Sequence, residues 1–283
     1  MAKQIDWKKV LHNASAAGRS AILENYDQIS RRKVVMRGVG GDLTLRIDEV
    51  SERAIHDSLK SDLGEGSFVF LSEELGEVKV RNGDSLPVVI CDPLDGSQNA
   101  KVGIPFFSLS LCVIEPRKRR TFGNVSSGLV TSIKTEDEYF ATKGGGAYRN
   151  GVRLAKRPKT PPRIETLLVE TGDVDFLRDK LIKRLSLKLI YKMRILGSAA
   201  LCYCLLADGT ADGYVFAQPG GARTIDSPAG YLIAREAGCV FSDLSGKHRN
   251  VDTVEVGFDS KLDLIGASNA RTLAKLKKLV RIS

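Results

Sequence analysis

The sequence predicts an α+β fold in stacked layers, ordered helix, sheet, helix, sheet, helix. Three observations predict it. The first 36 residues carry Ile5, Val10, Leu11, Ala14, Ala17, Ala21, Ile22 and Leu23 at near-helical spacing. The middle of the chain alternates short β-branched and aromatic runs with turn residues, the pattern of an antiparallel meander. The last third returns to strands interleaved with helical segments, so that helices have more than one sheet face to cover.

Residues 5–36 give a long N-terminal helix pair, which serves as scaffold. Gly38-Val39-Gly40-Gly41 is a flexible loop, and Asp48 then caps an amphipathic helix from Glu49 to Leu59. Capping accounts for Asp48, whereas Asp42 and Thr44 lack so ready an explanation beyond a turn beside Gly41. Ser67 to Leu71 is a short strand ending at Ser72-Glu73-Glu74, and Leu86 to Ile90 is a second one ending at Cys91-Asp92. Two strands therefore bring carboxylates to one sheet edge, where sites gather.

Phe106–Ile114 and Thr121–Val130 are long strands around a basic turn at Arg117, followed by Glu138–Ala141 and Gly144–Tyr148. No lysine-serine or lysine-threonine pair follows Gly144-Gly145-Gly146, so a turn explains those glycines better than a phosphate loop. Pro158, Pro161 and Pro162 mark a boundary between an N-terminal unit, 1–160, and a C-terminal unit, 161–283. The second unit offers strands at Leu167–Val169, Leu189–Ile195, Gly213–Phe216, Val240–Phe241 and Leu264–Gly266. Its helices are Phe176–Leu185, an apolar one opened by Gly197-Ser198-Ala199, one entered through Asp226-Ser227-Pro228, and a basic C-terminal one from Asn269. Close packing by small residues is the simpler account of Gly197 to Ala199. Pro228 fits only the first turn, which makes Asp226 a cap at or just before the helix.

With 283 residues and 42% hydrophobic side chains the chain can bury a sizeable core. Its start holds no apolar run of signal-peptide length, and no later run approaches the roughly 20 apolar residues of a membrane span. A soluble, cytoplasmic protein is expected. Five cysteines, odd in number and set among apolar neighbours, are reduced core thiols rather than a disulfide framework. Three histidines and no Cys-x-x-Cys leave little for zinc, so any metal is a hard one bound by oxygen. The net charge of +9 favours an anionic partner, a phosphorylated substrate or a nucleic acid. The basic groups, among them Arg31-Arg32-Lys33 and Lys275 to Lys278, are not interleaved with aromatics as base stacking requires. Nucleic acid is thereby the weaker of the two partners.

The chemistry concentrates in Cys91-Asp92-Pro93-Leu94-Asp95-Gly96-Ser97-Gln98-Asn99, with two carboxylates, a proline, a glycine and a hydroxyl in one turn. Asp-Pro and Asp-Gly are also ordinary turn dipeptides. Counting Asp92 as the first position of a calcium loop puts Ser97 sixth and Gly103 twelfth, which excludes that motif. A helix starting near Gly96 would aim free N–H groups at the place the carboxylates occupy, a place that suits a cation and a phosphate together.

In their order, Asp42 and Asp48, Ser72-Glu73-Glu74, Asp92 to Asn99, Gly197-Ser198-Ala199-Ala200 and Asp226-Ser227-Pro228-Ala229-Gly230 resemble the inositol monophosphatase family. That family includes archaeal-type enzymes that also hydrolyse fructose 1,6-bisphosphate. The resemblance spans nearly the whole chain and implies the family's α-β-α-β-α sandwich and a magnesium-dependent phosphomonoesterase acting on inositol 1-phosphate, fructose 1,6-bisphosphate or both. It further implies that Glu73, Asp92, the Leu94 carbonyl, Asp95 and Asp226 hold two or three Mg2+ ions. Glu73 and Ser97 paired with Asp42 would activate water, and Asp95, Gly96, Ser97, Gly197, Ser198 and Ala199 would meet the substrate. Family members are commonly homodimers.

Departures from the family are Ser97 for a threonine, Ala100 for an aromatic, Ile225 for a tryptophan, and Gln218-Pro219-Gly220-Gly221 where inositol-specific members place a glutamate. The last opens the substrate question. A 3′(2′),5′-bisphosphate nucleotidase of the same superfamily and a non-catalytic, nucleic-acid-associated regulator stand as alternatives.

Overall fold

The computed structural model describes residues 5–32, 43–72, 75–78, 85–116, 118–155, 163–170, 190–218, 221–245, 247–248 and 250–280. Asp42, Glu73, Glu74, the Gly38–Gly41 loop, the helix expected at 176–185 and residues 156–162 of the expected boundary lie outside them.

Two long helices, α1 (Trp7–Arg32) and α2 (Leu43–Leu63), open the chain. The first sheet contains β1 (Val69–Ser72), β2 (Gly76–Val78), β3 (Val88–Asp95), β4 (Ser108–Ile114), β5 (Val125–Ser132), β6 (Glu138–Thr142), β7 (Gly146–Arg149) and β8 (Val152–Arg153). They lie in the order β2-β1-β3-β4-β5-β6-β7-β8, antiparallel throughout except for the parallel pair β1–β3. The second sheet, β10-β9-β11-β13-β12, is formed by β9 (Ile164–Glu170), β10 (Ile190–Arg194), β11 (Gly213–Phe216), β12 (Val240–Asp243) and β13 (Leu264–Ala267). Its other helices are α3 (Ser97–Val102), α4 (Ala199–Ala207), α5 (Pro228–Glu236) and α6 (Ala270–Val280).

Side-chain alternation explains the layers. On β4, Leu109, Leu111 and Val113 face Leu11, Ile22, Ile55 and Leu59 of α1 and α2, whereas Cys112 and Ile114 face the opposite side with Tyr203 of α4 and Ile233 of α5. Leu276 and Leu279 of α6 cover the outer face of the second sheet against Leu167, Val169, Val215 and Ile265. The order is helix, sheet, helix, sheet, helix, as the sequence predicts. A sheet covered on both faces needs strands apolar on both sides, which is why β3 and β4 are buried at every position and carry the unbroken apolar runs Val88–Cys91 and Leu111–Ile114. For the same reason α4, sandwiched between the sheets, is apolar all round.

Four expectations are corrected. The N-terminal segment is one helix, not a pair, because Gly18 does not break it: a Cβ there would lie 2.6 Å from Leu109 Cδ1, so this glycine lets α1 approach the sheet. α2 starts at Leu43, so Asp48 is no cap; it lies inside the helix and is buried. The strand expected from Thr121 begins at Val125, because Phe122–Asn124 forms a 3-10 turn whose Phe122 N–H donates to Val254 O at 3.1 Å. Asp226 closes another 3-10 turn, Thr224–Asp226, and Ser227 stands at the cap position instead. Pro228 does occupy the first turn of α5, and the meander and the Gly144–Gly146 turn are as expected.

Candidate active site

β3 carries the motif further than its apolar run suggests, ending at Asp95. Asp92 pairs with Ser110 of β4 and Asp95 with Ser108, so β3 holds one extra residue: a β-bulge. Pro93, which has no N–H to give a ladder, is tolerated at such a position. Leu94 N–H donates to Asp92 Oδ1 at 3.1 Å and Ser51 Oγ of α2 to Pro93 O at 3.3 Å, fixing the bulge from within and from behind. Gly96 then turns the chain into α3 at φ 87°, and a Cβ there would sit 2.7 Å from Gly197 O. Only glycine allows this crossing of the two chain segments. β1 runs parallel to β3 with Ser72 opposite Cys91, so both strands end on one edge.

Asp95 joins the sheets. Its Oδ2 accepts from Ser108 Oγ at 2.9 Å, from Ser198 Oγ, and from Ala200 N–H at 3.0 Å, while Oδ1 accepts from Ala199 N–H at 2.9 Å. The last two donors are the free N–H groups at the start of α4, whose dipole favours an anion there. Burial nevertheless pushes the Asp95 carboxyl above its ordinary range, with these hydrogen bonds pulling the other way.

The opposing wall comes from the second sheet. Glu170 ends β9 and accepts from Gly197 N–H at 3.0 Å. Burial, then the nearby charge of Asp95, pushes its pKa up to about 7 against that one hydrogen bond. Arg223 Nε donates to Asp226 Oδ2 at 3.3 Å, and Ile225 between them is buried in the core.

These parts enclose a cleft of about 390 Å³, lined by the expected Asp92, Leu94, Asp95, Gly96, Ser97, Gly197, Ala199 and Asp226. Ser198 lies behind the lining, buried, with its hydroxyl on Asp95. Asp42 and Glu73 fall outside the described residues.

Sequence reasoning did not single out Glu170, Phe216 or Arg223, which line the same cleft. Glu170 was findable: Leu167-Leu168-Val169-Glu170 repeats the strand-then-acid pattern that drew notice at Glu73 and Asp92. Asp48 was read only as a cap, and Glu52 was passed over. Both are buried acids one turn apart on α2, flanking the Ser51 that touches Pro93, and Glu52 Oε1 accepts from Leu75 N–H at 3.2 Å.

The chemistry of the lining bears on a metal. Asp92, Asp95, Glu170 and Asp226 bring four carboxylates to one cleft, with Arg223 the cation among the described lining residues. Such a cleft repels a phosphate unless a cation is interposed, and hard oxygen donors suit magnesium. Among the described residues no three acidic, histidine or cysteine side chains already close on one point. The donor types fit the ion.

A layered sandwich with an acidic cleft at the strand ends, entered beside a glycine turn, suits metal-assisted chemistry on a phosphate ester. The particular lineage follows from comparison: the model of the inositol monophosphatase family matches residues 6–281, and the chain belongs to that family. It is 32% identical over 254 residues to the fructose-1,6-bisphosphatase/inositol-1-monophosphatase of Archaeoglobus fulgidus, covering 89% of each chain. It is 31% identical over 270 residues to the protein of the same name from Thermococcus kodakarensis, covering 95% of each. The extragenic suppressor protein suhB from Bartonella henselae shares the fold, with a TM-score of 0.75 over 97% of this chain and 98% of that one at 22% identity. The family and these named relatives make the chain a phosphatase acting on phosphate monoesters, and phosphatases of this family are generally metal-dependent.

Proposed function

We propose that the chain removes phosphate from a small phosphorylated polyol or sugar, inositol 1-phosphate, fructose 1,6-bisphosphate or both, with Mg2+ as its metal. The observation that carries this reading is the convergence of Asp92 and Asp95 from one sheet with Asp226 from beyond the other on one acidic cleft.

Glu73, Asp92, the Leu94 carbonyl, Asp95 and Asp226 would hold two or three ions. Bound there, the ions would supply charge neutralisation for the phosphate and a lower pKa for an attacking water. Asp95 is suited to this: a carboxylate has about four acceptor sites, and Oδ1 takes a single hydrogen bond among the described residues while Oδ2 takes three. Ser97, with Asp42, would orient the water for in-line attack on phosphorus, and the N–H groups of Gly96 and Ser97 would steady the phosphate. Ser198 and Ala199 act on the substrate through Asp95, which their donors hold in place. Gly197 forms the wall facing the glycine turn. Gln218 lines the cleft near Arg223, an arrangement that favours a sugar bisphosphate over exclusive use of inositol.

The five cysteines are buried and free, in keeping with a reducing, cytoplasmic setting. Exposed Val102 ends α3 and exposed Ile104 follows it, and Asn99 Nδ2 of the same helix donates to Leu196 O at 2.6 Å, beside exposed Ile195. That apolar group supports a homodimer, which Ile104→Glu should convert to monomer in light scattering.

Phosphate release from inositol 1-phosphate, fructose 1,6-bisphosphate and adenosine 3′,5′-bisphosphate, each with Mg2+ and with EDTA, tests the reading. Mg2+-dependent release from one or both sugar phosphates is expected. Release from the nucleotide alone would instead select the bisphosphate nucleotidase.

A further inference from the structure

A second cavity, of about 480 Å³, lies away from the acidic cleft between the 3-10 turn before β5, the last turn of α5 and Asp252. It shares none of the cleft's lining residues. α5 separates the two: the helix begins just after Asp226 and ends at Arg235 and Glu236 in this pocket, about 13 Å away along its axis. The volume is in the range of small-molecule sites.

Its walls are tied together. Phe122 N–H donates to Val254 O at 3.1 Å, Val256 N–H to Arg120 O at 2.7 Å, and Tyr231 Oη to Asp252 Oδ1 at 2.7 Å. The floor is apolar: Phe122 and Tyr231 have ring centroids 4.9 Å apart, with Leu232 beside them.

The rim is basic, and its charges are unevenly matched. Arg235 pairs with Asp252 at 3.3 Å. Glu236 is held by the N–H groups of Gly144 at 2.8 Å and Gly146 at 2.9 Å, so the glycine turn is a backbone nest already filled by a carboxylate of the chain itself. Lys143 donates to the neutral Gly123 carbonyl. Arg119 and Lys143 thus border the cavity without a carboxylate partner among the described residues. Two uncompensated cations above an aromatic floor match a dianion attached to a flat apolar ring, since guanidinium binds phosphate-type oxygens in a fork and aromatic edges pack against another ring.

We propose that this pocket is a second ligand site, for a small phosphate-type dianion carrying a flat apolar ring. The assignment stands independently of the phosphatase reading. Phenylphosphonate, which has no hydrolysable ester, is the probe, titrated calorimetrically in EDTA so that the acidic cleft, deprived of divalent cation, repels it. Wild-type protein is expected to bind one equivalent. Arg119→Glu with Lys143→Glu should weaken binding at least tenfold while leaving Mg2+-supported phosphatase activity intact, which shows that the variant is folded. Lys277→Glu with Lys278→Glu, on exposed α6, makes the same change of net charge and should shift binding less than twofold. Methylphosphonate, lacking the ring, should bind about tenfold more weakly. No binding in EDTA, equal weakening by the α6 pair, or equal affinity for methylphosphonate would each overturn the proposal.

Discussion

The two walls of the cleft hold their carboxylates in different ways. On the first-sheet wall Asp92 is locked over its own bulge and Asp95 is gripped by two hydroxyls and two helix N–H groups. On the second-sheet wall Glu170 takes one backbone donor, and Asp226 takes the Arg223 guanidinium at 3.3 Å. Burial opposes ionisation of Asp95 and of Glu170 alike, but Asp95 takes four donors and Glu170 one. Many donors hold an anion rigidly in one place, as a metal ligand must be held; few donors leave a group whose charge follows its surroundings. The first wall therefore fixes Asp95 in place, and the second leaves in Glu170 a group whose charge answers to its neighbours.

Substitutions can break that contrast. The largest effect is expected at Asp92→Asn, with turnover falling on the order of 10³-fold or more and the melting transition nearly unchanged, as steady-state kinetics and calorimetry together would record. Asp95→Asn should lower both, because an amide N–H2 set among four donors leaves at least one of them opposed; a stability loss of about 2–4 kcal/mol in urea unfolding is expected. On the second wall Arg223→Ala should act on KM, raising it about tenfold for a bisphosphate with little change in kcat.

The smallest effect sharpens the comparison through pH. The Glu170 carboxyl is raised from 4.5 to about 7, so the folded state holds its proton more tightly than the unfolded state. Its stabilising contribution is full below about pH 4.5 and is lost as pH rises through about 7. Glu170→Gln keeps an acceptor for Gly197 N–H and has no charge to strand. In metal-free protein it should stabilise by on the order of 1 kcal/mol at pH 8, with the gain vanishing toward pH 4.5.

Much of this was legible in the sequence because burial and turn chemistry leave local marks. The layered order followed from apolar runs, and the strand before Asp92 from Leu86 to Ile90. What stayed hidden was set by tertiary contact. Ser108 has no sequence feature to mark it; only the register across the bulge brings it to Asp95. Asp48 was misread because a plausible local role, capping, concealed a buried position inside α2. At Asp226 the same reasoning erred by one residue, since Pro228 fixes the helix start but a 3-10 turn precedes it. Glu170 was available from its strand and was overlooked, which shows that strand ends in the second sheet merit the same scrutiny as those in the first.

Under the proposed function, acids from both walls would serve one catalytic centre. Phosphate release under saturating Mg2+ from wild type, Asp92→Asn, Asp226→Asn and the double variant tests it most directly. If both side chains act at one centre, the double variant loses little more than the worse single variant, because residues acting as a unit are non-additive. Losses that multiply, or an Asp226→Asn variant that retains wild-type turnover, would contradict it.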